Sequence, residues 1–138
     1  MEYEPSFLRA AGSLTALFLA LSETLGKSAA ELARELLDDK KPAKEREAII
    51  AEHPDLAAEL VAAMAAGLDS ADEAEQYRRI PWIWRVAIAA GRQADAAQVK
   101  SLLDASLPRD GKPLADWQAV VIGGGVINGI SQTGRWPD

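Results

Sequence analysis

Cysteine is absent from this 138-residue chain, which removes disulfides, thiolate zinc sites, iron–sulfur ligation and cysteine nucleophiles from consideration. The absence says nothing about compartment, because cysteine-free chains work in reducing and oxidising surroundings alike. Histidine occurs once, at position 53. It therefore lacks a second imidazole or a thiolate with which to complete a metal set or activate a nucleophile, and its place before Pro54 gives it a role at a helix start. Basic charge is in deficit: 15 Lys and Arg against 21 Asp and Glu leave a net charge of -6. Phosphate binding needs a concentrated basic surface, so nucleic acid is not an expected partner. The uncharged stretch at residues 10–22 is too short to cross a bilayer, which takes about 20 apolar residues.

What is present is ordinary for a folded chain. Apolar residues make up 49% and charged residues 26%, a balance that argues against disorder. A chain near 150 residues buries roughly 70% of the surface its unfolded form exposes, enough for one domain with a real core. Residues 23–138 are expected to form it. Residues 1–22 admit two readings. Ala10 to Ser22 is uncharged and ends in Ala20-x-Ser22, like the apolar region and small-residue cleavage site of an export signal. Glu2 and Glu4 offset the positive charge that such signals carry, and the competing reading is a buried first helix.

Helix patterns follow one another with no alternating strand pattern. Ser28-Ala29-Ala30-Glu31 is a capping box ahead of a stripe of Leu32, Leu36 and Leu37. Pro42 suits the first position of a second short helix running through Ile49 and Ile50, which His53-Pro54-Asp55 interrupts. Leu56, Leu60, Val61, Met64 and Leu68 recur at spacings of three and four, and Gly67 closes that helix. Ser70-Ala71-Asp72-Glu73 reads as a further capping box. The helix it opens is expected to break or kink at Pro81, which lacks an amide hydrogen and crowds the preceding turn. Asp95 and Gln98 start the next helix, residues 108–113 form a loop, and a last pattern runs from Leu114 to Ile130. The predicted fold is all-α, built of antiparallel helix pairs as an α-solenoid fragment or an irregular bundle.

Trp84-Arg85-Val86-Ala87-Ile88-Ala89-Ala90-Gly91 is echoed 33 residues later by Trp117-Gln118-Ala119-Val120-Val121-Ile122-Gly123-Gly124, an interval expected of stacked helix pairs. The phrases Lys44 to Pro54, Arg79 to Ala87 and Asp116 to Gly125 resemble HEAT-like helical segments of large exported bacterial proteins, some of which also carry a c-type cytochrome module. The resemblance spans residues 28–137 and implies a periplasmic or secreted helical segment for protein association, a piece of a longer array, with the cytoplasm as the alternative. Covalent haem does not carry over, because there is no Cys-x-x-Cys-His.

Gly123-Gly124-Gly125 invites comparison with a dinucleotide fingerprint. The spacing fails, since the sixth position from Gly123 is Asn128, and no acidic ribose ligand follows at about 20 residues. These glycines are expected to admit a neighbouring helix or to bend their own. The acidic run Asp69, Asp72, Glu73 and Glu75 lacks the spacing and glycine of a calcium loop and suits a helix start. Arg78, Arg85 and Arg92 recur every seven residues, and Arg85 is expected to pair with a buried carboxylate. Trp82 and Trp84 are expected in the core with their indole N–H groups bonded.

No catalytic residue, cofactor or metal set is expected. The candidate partner-binding residues are Tyr77, Trp82, Arg85 and Trp117, read as one groove. The function these observations favour is a non-enzymatic helical protein-interaction or scaffold domain, whose partner is a protein or a missing part of its own array. The alternative is a cofactor-binding accessory of an oxidoreductase or electron-transfer system.

Overall fold

The computed structural model describes residues 26–68, 71–108, 111 and 116–136. The chain is an all-α bundle, with no strand among the described residues. Its helices are α1 (Ala29–Leu36), α2 (Ala43–Glu52), α3 (Ala57–Ala65), α4 (Glu73–Gln93), α5 (Ala96–Ala105) and α6 (Gly124–Thr133). A 3-10 turn, Pro54–Leu56, leads into α3. One α-turn, Asp116–Gln118, and a π-helical segment, Ala119–Gly123, run directly into α6. The stretch 10–22, read as an export signal or a buried helix, lies outside the described residues.

Carboxylates and a hydroxyl start three of the helices, α1, α4 and α5. The Ser28 hydroxyl accepts from the Glu31 amide at 3.2 Å, Asp72 from Glu75 at 3.0 Å, and Asp95 from Gln98 at 3.0 Å. The cap of α4 is Asp72 and not the expected Ser70, which lies outside the described residues. A carboxylate makes the stronger, charge-assisted bond and also suits the positive end of the helix dipole. The Gln98 side chain serves two masters, donating to the Asp55 carbonyl at 2.6 Å and accepting from the Ala58 amide at 2.9 Å. It thereby fastens the start of α3 to α5.

Pro81 does not end α4, which runs through it from Glu73 to Gln93, 21 residues in all. Proline removes the amide that would bond the Tyr77 carbonyl, and Tyr77 and Pro81 both lie on the exposed side of the helix. The long helix is thus free to bury its other faces. Trp82, Ile83, Val86, Ala87 and Ala90 join Leu32 and Leu36 of α1, Leu60, Val61 and Met64 of α3, Val99 and Leu102 of α5, and Val121, Ile122, Val126 and Ile130 in one core.

The most extensive helix contact is between α4 and α6, and small residues set it. A Cβ on Gly91 would sit 2.1 Å from the Val126 carbonyl oxygen, and one on Gly129 would sit 2.1 Å from that of Ile88. Gly125 faces the Ala87 methyl, and Arg92 Nε donates to Gln132 Oε1 at 2.6 Å. The order of these contacts shows that α4 and α6 run in the same direction, with α5 as the intervening return. The expected close approach at the glycine segment is therefore realised, chiefly by Gly125 and Gly129. The irregularity next to it takes the form of the π-turn, in which the Gly124 amide bonds back to the Ala119 carbonyl.

Candidate partner-binding surface

Three arginines, Arg46, Arg78 and Arg79, are turned inward onto helix ends. The last carbonyls of a helix have no partner within it. Arg46 Nε donates to the Leu36 carbonyl at 2.7 Å and Arg78 Nη1 to that of Leu37 at 2.6 Å, so two guanidiniums close α1. Arg79 Nη1 donates to the Met64 and Ala66 carbonyls at 3.2 and 2.9 Å and closes α3. Glu75 holds both α4 arginines, with bonds of 2.9 and 2.8 Å to Arg78 and 2.6 Å to Arg79. Hydrogen bonds from Arg78 and then Arg79 bring the Glu75 carboxyl down from 4.5 to about 2, and the same bond raises the Arg78 pKa.

Trp82 is buried, at 6% exposure, and it carries two cations. The Arg46 guanidinium lies 3.8 Å and the Arg85 guanidinium 4.2 Å from its ring, within the range at which a cation is attracted to an indole face. The expectation that Arg85 pairs with a buried carboxylate is corrected. Arg85 is exposed and stacks on the indole, with no carboxylate within 4.0 Å among the described residues. The buried cation is Arg46, whose side chain is 8% exposed and whose Nη2 approaches Asp39 only to 3.9 Å. Burial lowers the Arg46 pKa and Asp39 opposes that shift, while Arg85 and Arg78 add to it. The sequence signal for Arg46 was its place one turn before Ile50, on the buried side of α2.

The four residues read as one groove do not line a common one among the described residues. Tyr77 is 83% exposed and borders a cleft with Glu73, Gln76, Ile80 and Pro81. Trp82 is buried under the Arg46 and Arg85 guanidiniums and lines neither cleft. Trp117 packs half-buried against the core, and its Nε1 is buried with no acceptor among the described residues. Arg85 borders an open groove of about 400 Å³ between α2 and α4, with Glu47, Ile50, Ala51, Ile88, Ala89 and Arg92. Sequence reasoning missed the groove because its α2 wall is assembled by tertiary packing. Ala48, Ile49, Ile50 and Ala51 give α2 apolar positions on more than one side.

The groove shares Ile50, Ala51 and Ala89 with a more enclosed pocket of about 60 Å³ that reaches His53, Pro54, Ala57, Leu60, Val86, Ala90 and Gln93. His53 lies at the junction of α2 and the 3-10 turn, its amide donating to the Ile50 carbonyl and its carbonyl accepting from the Leu56 amide. No group of three or more His, Asp or Glu among the described residues is placed to hold a metal ion, and no described helix is long and apolar enough to cross a membrane. Comparison with protein-family models, curated proteins and solved structures gives no match.

Proposed function

We propose that the chain is a non-enzymatic helical interaction domain that offers a groove on its surface to another protein. One observation carries this reading. Arg46, Arg78 and Arg79 are committed to closing helix ends, while an apolar groove flanked by Arg85 and Arg92 stays open. Unsatisfied helix-end carbonyls destabilise a fold, so the first set is accounted for by architecture. The second set closes no helix end: Arg85 stacks on Trp82 and Arg92 gives its Nε to Gln132, and exposed arginine beside apolar surface is a common composition for a protein contact. The HEAT-like phrases support the same reading, as does the parallel course of α4 and α6 around α5, an arrangement that stacked helix pairs produce. The export reading also belongs to this proposal and rests on the uncharged stretch 10–22.

Site-directed photo-cross-linking in the source cells tests it. With the photoreactive residue at Ala51, beside the groove, a defined adduct with one other protein is expected. With the residue at Lys100, on the exposed polar side of α5, no such adduct is expected. Adducts absent at Ala51 and at every other apolar surface position would overturn the interaction reading. Intact mass of the recovered chain reads export separately, with a start near Glu23 in the envelope fraction as the expected result and a full-length cytosolic chain as the opposite one.

A further inference from the structure

We propose that the α2–α4 groove receives an amphipathic α-helix of a partner protein, apolar toward Ile50, Ile88 and Ala89 and acidic along the flank that meets Arg85 and Arg92. This rests on the interaction reading above and narrows it to one surface and one kind of partner.

Shape argues for a helix. Ala51 and Ala89 leave the groove shallow in side-chain bulk, so a second helix axis can approach to the usual 8–10 Å, which larger residues there would forbid. At one end the floor deepens into the pocket of about 60 Å³ bounded by Ala57, Leu60, Val86 and Ala90. About 10–15 Å³ of such space admits one water, so this pocket takes several heavy atoms, the end of a leucine or isoleucine side chain. Its rim is apolar apart from His53 and Gln93, which favours an aliphatic anchor over a polar one.

Charge argues for acidity on one side of that helix. Arg85 and Arg92 are two turns apart on α4, about 10 Å along its axis, and no carboxylate lies within 4.0 Å of either among the described residues. The chain as a whole carries a net charge of -6, so this basic flank runs against the charge of the rest of the molecule. Glu47 stands among the α2 residues that line the groove. An acidic residue placed against Glu47 is repelled, and one placed against Arg85 or Arg92 is attracted. The groove therefore fixes which flank of the incoming helix is acidic as well as which face is apolar. Carboxylates at a seven-residue interval on the partner match the two guanidiniums turn for turn.

The test uses the full chain and two stapled helical peptides. One has leucine at heptad positions a and d, glutamate on one flank and alanine and glutamine elsewhere; the other has lysine in place of each glutamate. Fluorescence anisotropy is read at low and at raised salt. The glutamate peptide is expected to bind, and R85E/R92E to weaken it at least about tenfold, as loss and reversal of two rim charges should. The lysine peptide should prefer R85E/R92E over the native chain, which a merely unfolded variant would not produce. Ala89→Trp, which fills the groove, should abolish both complexes. Failure of the glutamate peptide to bind overturns the proposal, and so does binding indifferent to R85E/R92E. Binding that is lost instead in Val120→Glu or Ile127→Glu, at the exposed apolar positions of the last helical run, overturns this groove while leaving the interaction reading intact.

Discussion

Near its start α4 meets its neighbours through arginines, and in its last turns through glycine and alanine. Arg78 and Arg79 reach out along flexible side chains to carbonyls of α1 and α3, contacts that tolerate small shifts of the helix because the side chain takes up the difference. Gly91 has no side chain, and the backbone of α6 occupies the space where one would lie. The first kind of contact is directional, charge-assisted and sensitive to pH and salt. The second depends on steric exclusion and dispersion, is indifferent to both, and has no slack.

The largest effect is expected at the glycine crossing. Gly129→Ala adds a methyl that would lie 2.1 Å from the Ile88 carbonyl oxygen and 2.8 Å from the Arg92 amide nitrogen. Both are backbone atoms, so the helices themselves must separate. Alanine is about 1 kcal/mol better than glycine inside a helix, but overpacking of this kind costs about 1–3 kcal/mol or more, and here the clash wins. Gly124→Ala is the internal control, because its Cβ would meet only the Trp84 ring at 3.7 Å, an ordinary contact. Urea denaturation followed by far-ultraviolet circular dichroism should show Gly129→Ala destabilised by about 2 kcal/mol or more and Gly124→Ala unchanged or stabilised by up to about 1 kcal/mol. Equal losses in the two variants would show that the crossing is not set by steric exclusion.

Next in size is Arg46, which has features of both regions: a directional bond to the Leu36 carbonyl and a buried body packed on Trp82. Arg46→Ala removes the bond, the cation on the indole and the aliphatic stem together, and should cost about 2–4 kcal/mol. Arg46→Met keeps most of the stem and abolishes a buried charge that has only Asp39 at 3.9 Å to offset its desolvation. Replacing such a cation with packed apolar volume is often close to neutral, so about 1 kcal/mol is expected, mainly for the carbonyl left without a donor. A methionine variant as damaged as the alanine variant would place the stabilisation in the guanidinium itself.

The contrast between the two regions also explains what could be read in advance. Helix identity was legible because it is local: Ser28, Asp95 and the Leu32–Leu36 spacing each act within a few residues, and the structure uses them as expected. The glycine crossing was legible in kind, since three successive glycines have few uses inside a helix, but its partner, Gly91, was not named. The arginine network was misread. Whether an arginine closes a helix end, stacks on an indole or pairs with a carboxylate depends on which carbonyls lie 10 to 41 residues away in sequence, and no periodicity encodes that. The break expected as one outcome at Pro81 does not occur, for a related reason. The proline's effect depends on whether the Tyr77 carbonyl faces water, a property of the packed helix and not of the tripeptide. The candidate groove shared this difficulty: Arg85 and Arg92 were found by their seven-residue spacing, while Ile50 and Ala51 joined them only through the packing of α2 on α4.

The smallest effect belongs to Glu75, and it separates the two regions by condition. Its carboxyl is held at about 2 in the folded chain, below the ordinary 4.5, first by the Arg78 hydrogen bond and then by that of Arg79. A depressed carboxyl pKa means that the unfolded chain binds the proton more readily, so the stabilisation is fully present above pH 4.5 and disappears as pH falls toward 2. Glu75 remains about a third exposed, and solvent and salt screen the pair. In Glu75→Gln the urea midpoint should be modestly lower than that of the native chain at pH 7. The difference should shrink in 1 M NaCl and close as pH falls from 4.5 to 2. Glu35, lowered chiefly by its hydrogen bond with Lys27, titrates in both proteins and cancels from the comparison. Repeating the titration in the Gly129→Ala background gives the sharper version, because a defect at the glycine crossing should persist unchanged across the same interval. A pH-dependent glycine defect would mean that the two ends of α4 are energetically coupled through the helix and do not act as independent attachments.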